Sequence, residues 1–198
     1  MKIRITLLAI LLICSTMTTQ AQEQSEQALP YYEIPEYPAS YTAGTVAARM
    51  VDGLGFWYFW ATEGLRTSDL DYKTGEGART SMETVQHIYG LVNVILNSTL
   101  QQVNGPSDSE GMTFDQLRKA TLLKIKKAAD ILRESEDISE FNMVFKRGEN
   151  TTTYPFWNQL NGPIADALWH CGQLVTLRRA SGNPFNSKAS LLAGKVRQ

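Results

Sequence analysis

The sequence predicts an all-α protein, an antiparallel four-helix bundle with a short strand-like insertion before the last helix. Apolar residues recur three and four positions apart in four segments, the spacing of one helix face. Two of these segments open with a threonine followed three positions later by glutamate or glutamine, the pattern of a capping box. The loops are of moderate length, which favours helices that pack side by side in one domain.

The first two predicted helices occupy residues 45–63 and 81–100. Gly64 follows the first helix directly and is a natural end for it. The second helix opens with Thr80 as its N-cap and Glu83 as the partner in a capping box. Apolar residues at helical spacing then continue to the end of the segment.

The third predicted helix starts at Thr113, and Gln116 completes its capping box. Apolar residues at helical spacing continue to about residue 132. Loops are expected between the helices, at residues 69–78 and 104–111.

Residues 138–153 interrupt the helical pattern. The run at 141–145 is strand-like and polar residues follow it, which predicts an insertion in the form of a hairpin-like lid. The last helix then continues to Ala180. Because Pro163 lies inside its apolar pattern, we expect a kink or a break just before Asp166.

The first 21 residues have the pattern of a secretory signal peptide. Lys2 and Arg4 precede the apolar run 5–14, and polar residues then lead to a small-x-small site that ends at Ala21. The apolar run is too short to span a membrane. We therefore expect an exported protein, periplasmic or extracellular, with no stable membrane insertion after cleavage.

The two cysteines have different expected fates. Lipoprotein signals carry a small residue before the cysteine, but Ile13 precedes Cys14, so we do not expect lipid anchoring. The mature chain keeps only Cys171, which rules out an intramolecular disulfide, so the fold must depend on packing. Cys171 points about 100° away from its neighbour His170 around a helix, which favours a small buried thiol over a metal ligand.

The expected organisation after the signal peptide is an extended Pro/Tyr-rich arm (22–44), a bundle (45–184) and a C-terminal tail (185–198). The charge is nearly balanced, with a formal net charge of -1, so nucleic acid is not an expected partner. The remaining candidate partners are a small-molecule substrate or ligand and a second copy of the chain in a homodimer.

The residues that point to chemistry are Asp166 and His170 in the last helix and His87 in the second. Asp166 and His170 are four positions apart, so a helix places them on one face. Two imidazoles and a carboxylate suit zinc, nickel or iron(II) and leave coordination positions open. In the alternative interpretation, both histidines are ordinary core or surface residues and the aspartate is a polar helix residue.

This pattern of a histidine in the second helix and a ligand-x-x-x-His-x-Gly-Gln run in the fourth resembles the DinB superfamily, which includes the YfiT-like proteins. These are metal-binding four-helix bundles, usually with three histidine ligands. The resemblance covers roughly residues 46–182 and implies a metal site at His87, Asp166 and His170. Asp166 stands where the family usually has histidine, and the insertion before the last helix is not part of the common pattern.

Further residues are candidates for supporting roles at this site. Gln173 could orient a bound water or a ligand, or could bond to neighbouring backbone instead. Trp57, Trp60 and Trp169 could line a pocket over the metal, although aromatic residues at helical spacing are more often core. Glu63 could be a general base, but we favour a solvated residue at the end of a helix.

The leading functional hypothesis is an exported, metal-dependent enzyme of the DinB type. The metal would lower the pKa of a bound water or thiol and so create a nucleophile at neutral pH. The resemblance implies hydrolase or thiol-transferase activity, and an exported protein would not meet the cytosolic thiols, which favours hydrolysis. No catalytic residue can be named. The alternative is a non-catalytic binding or structural protein with a metal-stapled bundle.

Overall fold

The structure is a computed structural model that describes residues 28–198, and it is mostly helical. The helices are α1 (Ala43–Thr62), α2 (Thr67–Leu70), α3 (Ser81–Thr99), α4 (Phe114–Arg133), α5 (Trp157–Gln159) and α6 (Ala165–Ala180). The strands are β1 (Val103–Asn104), β2 (Met143–Arg147), β3 (Asn150–Tyr154), β4 (Ala189–Ser190) and β5 (Lys195–Val196). The expected signal peptide, residues 1–21, lies outside the described residues.

Helices α3 and α4 begin at the two predicted capping boxes. The Thr80 hydroxyl accepts from the backbone N–H of Glu83 at 3.1 Å, and the Glu83 carboxylate accepts from the backbone N–H of Thr80 at 2.7 Å. Thr113 and Gln116 exchange the same two bonds before α4. Each box satisfies N–H groups that have no partner inside the helix, so both helix starts are confirmed.

Helix α1 begins earlier than its apolar pattern indicated, at Ala43 instead of residue 45. The cause is Thr42, whose hydroxyl accepts a hydrogen bond from the backbone N–H of Thr45. The last two residues of the expected arm, 22–44, therefore belong to the helix. At the other end of the helix, Gly64 follows with a φ of 66°, a left-handed conformation that glycine adopts without strain.

The four long helices pack in a closed cycle: α1 contacts α4 and α6, and α3 contacts the same two helices. Their facing apolar side chains form the core, in which Val51, Ile88 and Ile125 have no exposed surface. Burial of this apolar area is the main stabilising contribution. Within residues 28–198, no helix combines the length and the apolar character needed to cross a bilayer.

The last helical segment is broken where Pro163 predicted it. A single wide turn, Leu160–Ile164, separates α5 from α6, and Gly162 inside it has non-helical backbone angles (φ -99°, ψ -112°). Proline lacks the N–H that a continuous helix needs and clashes with the preceding turn. As a result α6 starts at Ala165, directly before Asp166.

The insertion before the last helix is a β-hairpin. Strands β2 and β3 pair antiparallel, and β1 pairs parallel with β2 through Val103 and Val144. The Ser98 hydroxyl donates to the Phe141 carbonyl at 2.6 Å and so ties the hairpin to the C-terminal end of α3. At 1.5 Å per residue, this attachment is roughly 16 Å along α3 from His87.

The C-terminal segment packs against the N-terminal arm. Residues 185–198, expected to be a tail, contain the hairpin of β4 and β5. The backbone N–H of Ile34 donates to the Gly194 carbonyl at 2.9 Å, and that of Val196 donates to the Glu33 carboxylate at 3.0 Å. These contacts bury Ile34 and hold the N-terminal arm against the hairpin. Local sequence could not indicate them because the partners are about 160 residues apart.

The expected loop 69–78 begins inside a short helix, α2, because a buried carboxylate organises this region. Asp69 has no exposed side-chain surface and accepts hydrogen bonds from the Arg66 guanidinium at 2.7 and 2.9 Å. The Ser181 hydroxyl and the Asn183 amide, just beyond α6, donate to the same carboxylate at 2.6 Å each. Asp69 therefore joins α2 to the end of α6.

Candidate metal centre

The candidate centre lies where α3 faces α6. Packing of these two helices brings His87, from the first half of α3, against the first two turns of α6. Asp166 and His170 are one turn apart there and project toward His87. The kink before Ala165 sets the start of α6 and therefore the position of Asp166.

The Asp166 carboxylate lies between the two imidazoles. Its Oδ2 is 3.4 Å from Nε2 of His87, and its Oδ1 is 3.3 Å from Nε2 of His170. One ligand atom from each of the three residues lies within 4.8 Å of the others. Charge-assisted hydrogen bonds are usually shorter, about 2.7–2.9 Å. Two ligands of a tetrahedral zinc ion are separated by about 3.3 Å, so the group could hold a metal ion.

The centre has a buried side and an open side. The His170 side chain is only 10% exposed, whereas those of His87 and Asp166 are 33% and 43% exposed. The two rings are 4.5 Å apart between centroids and nearly perpendicular, at 87°. An ion held by the three residues would therefore be accessible to a water or ligand from solvent.

Gln173 contacts the ring of His170 on the side away from Asp166. Its Oε1 is 2.7 Å from Nδ1 of His170. An amide oxygen accepts a hydrogen bond from the Nδ1–H tautomer of His170, and in that tautomer Nε2 is the nitrogen that can bind a metal. A metal-binding histidine commonly has its second nitrogen held this way. Gln173 was expected either to orient a water or ligand at the site or to bond to neighbouring backbone, and the structure shows its side chain in contact with the candidate ligand His170.

The surroundings also favour a neutral His87. Burial lowers its pKa below the ordinary value, and the nearby His170 and Arg79 lower it further. The Asp166 carboxylate opposes these effects by favouring the protonated ring. The lowering effects prevail, so the lowered pKa of His87 favours the neutral imidazole, the form that can offer a lone pair to a metal.

A cleft of about 660 Å³ adjoins the centre between α6 and the segment that leads into α3. Its lining residues are Thr74, Ala78, Arg79, Thr84, Trp169, His170, Gly172, Gln173, Thr176 and Leu177. The volume is within the range of small-molecule sites. No residue of the β2–β3 hairpin lines it, so the hairpin is not a lid over this cleft.

Of the four expected pocket residues, Trp169 lines the cleft and is 72% exposed. Trp57, Trp60 and Glu63 do not line it. Trp57 packs against the hydrophobic core, and Trp60 is buried there with its Nε1 donating to the Tyr32 carbonyl at 3.1 Å. Glu63, expected to be a solvated residue at the end of a helix, is 48% exposed and forms an ion pair with Arg118.

Cys171 lies beside His170 in the sequence but turns into the core. Its side chain has no exposed surface, and it is not part of the group of possible ligands. Burial raises the pKa of its thiol far above the ordinary value because the charged thiolate would lose its hydration. Cys171 is therefore the small buried thiol that its position on the helix predicted.

Arg79 is the cleft residue that sequence reasoning missed. It directly precedes the N-cap of the helix that carries His87, and this proximity was the available signal. Arg79 lines the cleft only because α6 forms the opposite wall, and the local sequence pattern does not show that packing. Within residues 28–198, its side chain makes no ion pair and no hydrogen bond.

Comparisons of the chain with protein-family models, with curated proteins and with solved structures found no match. The case for a functional site therefore depends on its own geometry. That geometry comprises three converging donors, an oriented His170 and an adjoining cleft of small-molecule size.

Proposed function

We propose that this protein is an exported metal-binding protein, an antiparallel four-helix bundle of the DinB type, that hydrolyses a small molecule with a divalent ion held by His87, Asp166 and His170. The observation that carries the proposal is the convergence of these three donors from two helices. Asp166 contacts both histidines at distances that suit neighbouring ligands of one ion.

The donor set fits a catalytic ion better than a closed structural site. Structural zinc sites usually have four protein ligands, often cysteines, whereas catalytic sites have three and an open position. The described residues offer three donors, and two of them are partly exposed. Imidazole and carboxylate suit zinc, nickel or iron(II), and we favour zinc because it supports hydrolysis without redox chemistry.

The family assignment is supported by the order of the elements that carry the donors. His87 comes from the second long helix, and Asp166 and His170 come from the fourth, as the resemblance to DinB proteins implies. The closed cycle of four packed helices agrees with a bundle. Asp166 in place of the usual histidine makes the site harder and more negatively charged, which should change its metal preference.

A divalent ion would supply Lewis-acid chemistry, polarising a carbonyl and lowering the pKa of water toward neutrality. Gln173 would keep His170 oriented, and burial of His87 would favour its neutral form. The adjoining cleft would bind the substrate. The expected export from the cytosol favours hydrolysis over transfer of cytosolic thiols.

A non-catalytic role is the second candidate, and the composition of the cleft favours it. Its lining residues include no aspartate or glutamate and no histidine besides His170. A general base that does not also bind the metal is therefore not supplied by the lining residues. In this alternative, the ion links α3 to α6 and stabilises the fold, or the cleft binds a ligand without catalysing a reaction.

The test is metal analysis of protein purified without a chelating tag. We expect stoichiometric metal in the natural chain and loss of metal in His87→Ala and Asp166→Ala. Asp71→Ala, which changes an exposed carboxylate outside the group, is the control and should retain metal. A natural chain that binds neither zinc nor nickel would overturn the proposal.

Melting temperatures of the same variants distinguish the two candidates. If the variants lose metal but the domain stays folded, the ion is not needed for folding, and the result supports the catalytic role. If both variants lose metal and unfold while Asp71→Ala does not, the ion is structural and the alternative is correct. Screening of the folded, loaded protein against ester, amide and phosphoester substrates then tests hydrolysis directly.

A further inference from the structure

The cleft beside the candidate centre has an arginine on one wall and the His170–Gln173 pair on another. We infer that Arg79 binds the carboxylate of an organic acid in this cleft, so that the substrate or ligand is an aromatic or apolar carboxylic acid. This inference rests on the proposed function, because the cleft is taken to serve the metal centre. It adds the class of molecule and a residue that selects it.

The charge of Arg79 is available to a ligand. Within residues 28–198, no carboxylate forms an ion pair with it, although Arg66, Arg118 and Arg133 all have acidic partners. The lining of the cleft contains no acidic side chain. The nearby Glu83 carboxylate, which Arg79 reaches electrostatically, lies outside the lining and accepts its hydrogen bonds from Thr80. A guanidinium presents two parallel N–H donors that match the two oxygens of a carboxylate.

The rest of the lining favours an apolar body on that acid. Trp169 lies along the cleft with 72% of its surface exposed, and Leu177 also lines it. An exposed tryptophan in a concave site can stack on an aromatic or apolar group and so exclude water. The hydroxyls of Thr84 and Thr176 donate to the backbone carbonyls of Thr80 and Gly172, which leaves Arg79 to bind the carboxylate.

Arg79 and a bound cation should both attract the ligand, while they repel each other. Both attract an anion, so a carboxylate gains from the combined field. The arginine repels the ion because both are positively charged. Removing the charge of Arg79 should therefore weaken carboxylate binding without weakening metal binding.

The experiment loads the full chain with Co²⁺, follows the ion by visible absorbance, and titrates benzoate against neutral benzamide by calorimetry. Benzamide has nearly the same shape as benzoate but no charge. We expect benzoate to bind more tightly than benzamide. In Arg79→Gln, benzoate affinity should fall by about tenfold or more, the loss typical of a hydrogen bond to a charged group.

Two controls separate this effect from general damage. Arg147→Gln removes an exposed arginine from the β2–β3 hairpin and should leave benzoate affinity unchanged. Benzamide affinity should be the same in Arg79→Gln as in the natural chain. Cobalt affinity in Arg79→Gln should be equal or higher, whereas a damaged site would lose cobalt and both ligands together.

The outcomes distinguish the two proposals. A natural chain that takes up no cobalt, zinc or nickel overturns the proposed function and this inference with it. A chain that takes up cobalt but fails to prefer benzoate over benzamide overturns the inference alone. The inference also fails if Arg79→Gln binds benzoate within twofold of the natural chain, or if Arg147→Gln loses as much.

Discussion

Oε1 of Gln173 lies 2.7 Å from Nδ1 of His170, within hydrogen-bond distance and one turn along the same helix. This contact holds the ring so that Nε2 faces Asp166 at 3.3 Å. Both residues also line the cleft. The pair therefore connects the candidate centre to the space where a small molecule would bind.

Replacing Gln173 with leucine should weaken metal binding. The side chain is exposed, so the fold should persist, but the proton on Nδ1 loses its acceptor and the ring loses its orientation. We expect zinc affinity to fall by about 10–100-fold, the usual effect of removing such a partner. Competition titration with a zinc chelator measures the change. Gln173→Glu keeps an acceptor and should retain affinity, so an equal loss in both variants would contradict this role.

Exchanging Asp166 for histidine should change metal preference without abolishing binding. The variant would offer three imidazoles, which suit zinc and nickel, and would lose the only carboxylate, which suits manganese. We expect zinc affinity within about tenfold of the natural chain and a clear loss of Mn²⁺ binding. Parallel titrations with the two ions provide the test. If Asp166→His binds Mn²⁺ as well as the natural chain does, Asp166 is not a ligand.

Neutralising Asp69 should destabilise the protein by about 1–3 kcal/mol at pH 7, because its buried hydrogen bonds are charge-assisted. The Arg66 guanidinium, with further hydrogen bonds from Ser181 and Asn183, holds the pKa of this carboxyl well below its usual range. Its contribution is therefore fully present above about pH 4, the unfolded-state pKa, and is lost as the pH falls below that value.

Urea unfolding of Asp69→Asn at pH 7 and at pH 3 checks this prediction. The difference from the natural chain should be large at pH 7 and smaller at pH 3. Asp71→Asn, a change at an exposed carboxylate two positions away, is the control and should be within 0.5 kcal/mol of the natural chain, as is usual for surface substitutions. A deficit in Asp69→Asn that does not depend on pH would contradict the charge-based explanation.

Gly55 is needed because the Tyr31 ring lies on it. A Cβ at Gly55 would be 2.4 Å from the ring, which is itself held by a hydrogen bond from its hydroxyl to Asp52. We expect Gly55→Ala to destabilise the protein by about 1–3 kcal/mol through overpacking. In a Tyr31→Ala background, the same change should instead stabilise by up to about 1 kcal/mol, the difference in helix propensity.

The control for this pair is Gly53→Ala in the same helix, where a Cβ would meet no atom within 4 Å. It should stabilise the protein in both backgrounds, because only helix propensity changes. Urea denaturation of the six chains gives the coupling free energy directly. A coupling free energy of zero between Gly55 and Tyr31 would mean that the arm does not pack against α1 in solution.

Much of the helical framework could be predicted because its signals are local. The capping box at Thr80 and Glu83, the apolar spacing that follows it and the break at Pro163 each involve residues within one or two turns. Local propensity and the resulting structure agree at these places. The short helix at Asp69 was missed because its partners, Ser181 and Asn183, are more than 100 residues away.

The sequence by itself determined which residues could take part in the centre. Only two histidines are present, and the spacing of Asp166 and His170 places them on one helix face. The tertiary structure decided that His87 meets them, since that contact depends on how α3 packs against α6. It also decided that Trp60 and Glu63 serve other contacts and that Arg79 lines the cleft. Helical periodicity defines the face of each helix, but only packing of the core defines which faces meet.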